Sequence, residues 1–420
     1  MIKATTLDYK NLNKYLAIVL TCLTLCVAYI YVWTFYLEQK IEERFIFEAN
    51  DTPYVVPGFN SMPIVGIHRF GDFVSQLSYA SVSNPYDLSL ALPSPYPPLG
   101  IALFKFFSPL NPKISILIFV FISIMFLILS LKVVVYRLTK WNFTLVLLCF
   151  LVLSKPFLLA VDRGNLQIIV VGLCFAAVYF LSVKNYILFG LLIAVAASIK
   201  AYPVLLLVIL IKQRKFKVLI ISLLSIVALT LFSLFIISNK FDFGFILGML
   251  KGMAVQSGYP TSGMSIASWI MRVLEAFNLY NPIGGQDNVF RIISLFSAII
   301  FGWYIFLHNF MQNRYPKEIE PFILIGSIPL LIPVSWDYNS IAVSLCAIRI
   351  LFLDSEYLGQ FSPKRIKLIR NLSLGIIVAS IPFPIIWSGE ERVNVGVLDV
   401  LVPPLFVVLA IILKKTRINE

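Results

Sequence analysis

Four short polar clusters interrupt long apolar runs, and they hold the residues that could do chemistry. The first contains His68-Arg69-Phe70-Gly71-Asp72-Phe73 and closes on Ser94-Pro95-Tyr96-Pro97-Pro98. The others are Asp162-Arg163-Gly164-Asn165-Leu166-Gln167, Ser198-Ile199-Lys200-Ala201-Tyr202-Pro203 and Ser335-Trp336-Asp337-Tyr338-Asn339. An acidic residue in a loop beside glycine and aromatics, at a membrane face, is where a lipid-linked substrate would meet a base. Asp72 is therefore the candidate general base. Trp336, Asp337 and Tyr338 suit a sugar, whose faces stack on rings and whose hydroxyls bind an acid.

Plainer roles compete for the same residues. Asp72 could cap a helix starting near Phe73, and Asp162 and Asn165 could cap one starting at Leu166. Asp162 and Arg163 could form an exposed ion pair of little energetic worth. Asp337 could cap the helix running toward Leu353, with Trp336 as an interfacial anchor. Lys200 resists such a reading, because a lysine at membrane depth is costly unless it meets a cavity or partner or snorkels to the interface.

Composition says what must position these groups. Of 420 residues, 59% are hydrophobic and only 13% charged, and the mean hydropathy is +0.90, which excludes a soluble globular domain. The formal charge of +13 sits in short basic turns between apolar segments, where it sets orientation and does not signal nucleic acid. The cysteines, Cys22, Cys26, Cys149, Cys174 and Cys346, all lie in apolar runs without metal-ligand spacing.

The apolar pattern predicts an all-α, single-domain polytopic membrane protein over 1–420 with about twelve transmembrane helices, some short or broken. Tyr15 to Leu37 reads as a retained signal anchor. Further spans are expected at Ile114–Leu131, Phe143–Ala160, Leu166–Val183, Val218–Ser238, Val289–His308, Phe322–Val334, Ser340–Leu353, Leu372–Trp387 and Leu398–Leu413. Tyr186 to Ile211 is one apolar run, but Lys200 and Pro203 break it into two short helices meeting near the outer face. The basic loops at Lys212–Lys217, Arg314 with Lys317, Lys364–Arg370 and Lys414–Arg417 place both termini in the cytoplasm. The long first loop, 38–112 with interfacial helices, a second larger loop at 239–286, and all four polar clusters then share the extracytoplasmic face.

These clusters, in this order, resemble the membrane mannosyltransferases of the GT-C superfamily, family 87. The resemblance rests on Gly71-Asp72-Phe73, Tyr96-Pro97-Pro98, Asp162 to Gln167, Lys200-Ala201-Tyr202-Pro203 and Val334 to Tyr338, and spans roughly residues 60 to 350. It implies an inverting glycosyltransferase of the cytoplasmic membrane. Such an enzyme moves a sugar, mannose or another hexose or pentose, from a polyprenyl-phosphate carrier to a lipid or glycan acceptor on the outer face. It also implies that the first-loop aspartate, Asp72, is the base. The family's late Ser-Trp motif is often followed by a histidine that assists the base; here Asp337, Tyr338 and Asn339 follow.

Chemistry alone asks for the same residues. An acceptor hydroxyl attacking an anomeric carbon needs one base, and a phosphate leaving group needs neutralisation, not a general acid. Arg163, Lys200 and Arg69 are the cations on that face. With Asp162, Asn165, Tyr96, His68, Trp336, Asp337 and Tyr338 they form the expected substrate-binding set. No metal or other cofactor is expected, since the carboxylate pairs with ligand-like spacing, Glu318 with Glu320 and Asp354 with Glu356, fall on the cytoplasmic side. The alternatives are a lipid-linked polysaccharide polymerase or ligase, and a transporter of lipid-linked sugar; the transporter would need paired broken helices in both halves.

Overall fold

The computed structural model describes residues 70–90, 93–135, 140–238, 244–256, 265–277, 279, 288–313, 315–332, 337–353, 361–381 and 401–414. Within these residues all regular structure is helical. The expected signal anchor, the start of the first loop and the candidates His68, Arg69 and Trp336 lie outside the described residues.

In chain order the helices are α1 Gly71–Ser81, α2 Pro98–Phe107, α3 Pro112–Val134, α4 Lys140–Leu153, α5 Lys155–Arg163, α6 Gln167–Ser182 and α7 Tyr186–Ile199. A 3-10 turn, Tyr202–Leu207, leads into α8 Val208–Lys212. Then follow α9 Phe216–Ser238, α10 Phe245–Gln256, α11 Ile266–Ala276, α12 Asn288–Gly302 running into a π-helical stretch Trp303–Phe310, and α13 Glu320–Leu331. A 3-10 turn, Asp337–Ser340, precedes α14 Ile341–Leu351, α15 Pro363–Ala379 and α16 Val402–Ile412.

Three helical stretches are long and apolar enough to cross a bilayer: Ile114–Val134, Phe216–Ser238 and Val289–Phe310. A 23-residue helix such as α9 is about 35 Å long, against a hydrocarbon core of about 30 Å. Large apolar side chains stay exposed along them, including Leu117, Phe121, Leu224, Phe232, Ile292 and Phe296. Such a surface is stable when lipid, not water, covers it. Inside, α6 packs between α3 and α7, and α13 and α14 pack together, with Phe175, Phe189, Ile323 and Leu345 fully buried.

The expected spans need several corrections. The run Phe143–Ala160 is not one helix: α4 stops at Leu153, and Ser154 caps a new helix by accepting from Phe157 N, with Pro156 in its first turn. The span expected at Leu372–Trp387 begins at Pro363, so Lys364, Arg365, Lys367 and Arg370 are helical rather than in a loop. Pro363 and the Ser362 cap set that start. The loop expected at 239–286 contains α10 and α11. The break between α7 and α8 falls where expected, because Lys200 is extended (φ −140°, ψ 128°) and Pro203 opens the 3-10 turn.

Candidate active site

Phe73 anchors the first cluster. It is fully buried and meets Phe104, Phe107 and Phe119 edge-on, with ring centroids 5.1, 5.7 and 5.4 Å away. This packing holds α1 against α2 and α3 and fixes the adjacent Asp72. Asp72 lies in the first turn of α1, but the N-cap position is Phe70, in the left-handed region at φ 59°. Capping is therefore not what Asp72 does: its side chain leaves the helix for the second cluster.

That second cluster is built by a helix stop. α5 ends at Arg163, and Gly164 takes φ +67° as its left-handed cap, with its N–H donating to the carbonyls of Ala160 and Val161. A side chain there would also collide with Phe73, since a Cβ on Gly164 would lie 2.4 Å from the Phe73 Cβ. Glycine thus serves both the turn and the close approach of α1. The turn delivers Arg163 and Asn165 to Asp72 together.

The contacts are dense. Arg163 Nε donates to Asp72 Oδ2 at 3.0 Å and its Nη2 to Oδ1 at 2.7 Å, while Asn165 Nδ2 donates to Oδ2 at 2.6 Å. The Arg163 and Asp72 side chains are only 20% and 15% exposed. Asn165 Nδ2 also lies 3.2 Å from Tyr96 Oη, which accepts from it. Its Oδ1 accepts from Lys200 Nζ at 2.8 Å and from Gln167 N at 3.0 Å. Lys200 Nζ donates further to Gln167 Oε1 at 3.1 Å, and Gln167 Nε2 to Tyr202 Oη at 2.8 Å. The ammonium also lies 5.8 Å from the Tyr96 ring centroid. Tyr96 is itself held by its backbone, whose carbonyl accepts from Tyr86 Oη at 2.8 Å.

Electrostatics follow from this geometry. Burial pushes the Asp72 carboxyl up, but the Arg163 charge, hydrogen bonds from Arg163 and Asn165, and the Lys200 charge together hold it below the usual carboxylate value. It is ionised at neutral pH. Lys200, in the turn between two helices, is pushed down to about 7, first by burial and also by Arg163, while the Asp72 charge acts the other way. Burial raises the Tyr96 hydroxyl, which stays protonated. Among the described side chains the site therefore presents one carboxylate, a guanidinium, a lysine poised near neutrality and a neutral phenol.

Of the expected site residues, Asp72, Tyr96, Arg163, Asn165 and Lys200 converge. The fourth cluster's 3-10 turn, Asp337–Ser340, packs on α5, which brings the backbone of Asp337 and Tyr338 to the helix bearing Arg163. The side chains of Asp162, Asp337 and Tyr338 lie outside the described residues. Arg163 forks onto Asp72, while the Asp162–Arg163 pair considered from sequence falls on a side chain outside the described residues. Two members were missed as site residues, Gln167 and Tyr202. A glutamine opening an otherwise apolar helix was the available signal.

A family model for glycosyltransferase family 87 matches residues 95–319, more than half of the chain. No curated protein and no solved structure matches it. The matched stretch carries Tyr96, Arg163, Asn165 and Lys200; Asp72 lies before it and is joined to it by the contacts above.

Proposed function

Because this chain belongs to glycosyltransferase family 87, we propose that it transfers a sugar from a polyprenyl-phosphate carrier to a lipid or glycan acceptor. The transfer inverts the anomeric centre, takes place on the extracytoplasmic face of the cytoplasmic membrane, and uses mannose or another hexose or pentose. The observation that carries this reading is the ionised carboxylate of Asp72 set beside two basic side chains in one largely buried site.

Asp72 acts as the base. Its Oδ1 takes one donor, Arg163 Nη2, while Oδ2 takes two, so Oδ1 retains a lone pair for the acceptor O–H. As the acceptor oxygen bonds to the anomeric carbon its proton becomes acidic, so a carboxylate of low pKa can still take it. On the opposite side of that carbon the bond to the carrier phosphate breaks, and its electron pair stays with the phosphate. Lys200 and Arg163 neutralise the released charge. A phosphate arriving beside Lys200 favours the ammonium form. Two fixed cations can serve in place of a divalent ion, so no metal is invoked.

The test uses the purified protein in liposomes with radiolabelled polyprenyl-phosphate mannose and a membrane lipid extract as acceptor source. Label should appear in a new lipid or glycan product with wild type and not with Asp72→Asn. Movement of intact labelled donor across the bilayer without any new product would overturn the enzyme reading in favour of transport.

A further inference from the structure

At the far end of the bundle from Asp72, two tight turns face one another. One joins α8 to α9 and the other follows the π-helical stretch; Arg214 and Asn313 turn them in the left-handed region at φ 54° and 56°. The 3-10 turn and α8 together carry the chain from Tyr202 to Lys212, roughly 20 Å away from Lys200. Helix α9 fixes the polarity: the Ile236 and Ile237 carbonyls near its C-terminus accept from Lys105 of α2 at 2.9 Å each, so Phe216 lies at the end remote from Tyr96.

Between these turns is a cavity of about 430 Å³ whose lining includes the cations Lys212, Arg214 and Lys317 and the apolar Ile211, Phe216 and Met311. The apolar members are 42%, 54% and 37% exposed, and Phe216 is the first residue of the apolar helix α9. Lys212, its side chain 10% exposed, is paired with Glu320 at 2.6 Å and lies 4.1 Å from the Phe310 ring centroid. Glu320 thus answers Lys212, and Glu318 does not line the cavity. Orientation by basic loops requires only dispersed charge; three cations and three partly exposed apolar side chains lining one cavity are more specific.

We infer that this cavity binds the phosphate headgroup of an anionic phospholipid of the inner leaflet, with Arg214 and Lys317 on the phosphate and the acyl chains against Phe216, Ile211 and Met311. Guanidinium and ammonium groups match phosphate oxygens, and the exposed apolar lining suits a ligand that carries its own hydrocarbon. A soluble phosphate would leave those apolar side chains unmatched.

The test is independent of the reading of the Asp72 site. Full-length protein in detergent, stripped of lipid, is titrated with phosphatidylglycerol, phosphatidylcholine or inorganic phosphate, and retained ligand is read by native mass spectrometry. Wild type should retain phosphatidylglycerol over phosphatidylcholine. Arg214→Asn with Lys317→Gln should cut that preference on the order of tenfold. Asparagine tolerates the left-handed conformation at position 214, so the turn survives the change. Lys364→Gln with Lys367→Gln, in another basic segment, should leave the preference intact. Equal retention by the Arg214/Lys317 variant, equal loss in the Lys364/Lys367 variant, or no preference in wild type would overturn the site. Displacement of phosphatidylglycerol by inorganic phosphate at equal concentration would overturn the lipid assignment.

Discussion

Arg163 forks onto Asp72, its Nε 3.0 Å from Oδ2 and its Nη2 2.7 Å from Oδ1, which makes the expected base one half of a largely buried ion pair. Two roles are therefore combined in one carboxylate. Asp72→Asn removes basicity and also takes from Arg163 the carboxylate onto which it forks. Breaking a fully buried pair on one side costs about 3–5 kcal/mol; with both side chains still partly exposed, about 2–4 kcal/mol is expected. Activity should fall on the order of 10² to 10⁴. Asp72→Asn with Arg163→Gln should recover much of the stability, read by thermal melting in detergent, and none of the activity. Recovery of turnover in the double variant would show that the single change acted through stability alone.

The same pair gives a stability signature. The folded carboxyl is held below its unfolded value of about 3.9, so the unfolded chain binds the proton more readily. The contribution of Asp72 is then complete above about pH 4 and is lost as pH falls through the folded value. Melting temperatures of wild type and Asp72→Asn should differ at pH 7 and converge toward pH 3. A constant gap across that range would contradict the assignment.

Lys200 supplies the opposite limb. If the donor phosphate needs its ammonium form, kcat/KM for the polyprenyl-phosphate sugar should fall as pH rises above about 7, where the free enzyme loses that proton. Lys200→Arg keeps the charge at all working pH values and should flatten this limb, while Lys200→Ala should lower kcat/KM throughout. An unchanged basic limb in Lys200→Arg would remove Lys200 from the role.

Much of this site was legible in the sequence. Asp72, Tyr96, Arg163, Asn165 and Lys200 stand out because polar residues are conspicuous in so apolar a chain. Their pairing was not legible. The local candidate for Arg163 was Asp162, and nothing in spacing says that Gly164 turns left-handed against Phe73 and hands Arg163 to a residue 91 positions earlier. Helix edges were obscured for related reasons: Ser154 interrupts an apolar run too briefly to register, and basic residues concealed the first turns of α15. There Arg365 is helical, with its guanidinium donating to the Ile412 carbonyl, a contact that charge patterning cannot anticipate.

Asn165 offers a sharper test of coupling, because one carboxamide serves both Asp72 and Lys200. Asn165→Asp would place a second carboxylate about where Nδ2 now donates, 2.6 Å from Asp72 Oδ2. Two such groups cannot both stay ionised at low pH, so the acid limb of the rate profile should move up by about 1–3 pH units. Asn165→Ala also loses the bonds but adds no charge, and should lower the rate without that displacement. Identical profiles for the two variants would reduce Asn165 to a structural turn residue.

The loop ahead of Tyr96 is clasped by α10, and this clasp can be loosened at one atom. Tyr86 meets Phe245 edge-on at 5.9 Å, and Lys251 Nζ donates to the Leu88 and Leu90 carbonyls. A Cβ on Gly248 would stand 2.0 Å from the Tyr86 carbonyl oxygen, a backbone atom that cannot swing aside as a side chain would. Gly248→Val should therefore lift residues 85–90, slacken the Tyr86 to Tyr96 hydrogen bond and cost about 1–3 kcal/mol. Turnover should drop several-fold and proteolysis within 85–90 should quicken. Gly302, also helical, has nothing within 4 Å of the corresponding Cβ, so Gly302→Ala should be neutral or stabilising by about 0.5–1 kcal/mol. Wild-type turnover and proteolysis in Gly248→Val would mean that α10 does not hold Tyr96 in place.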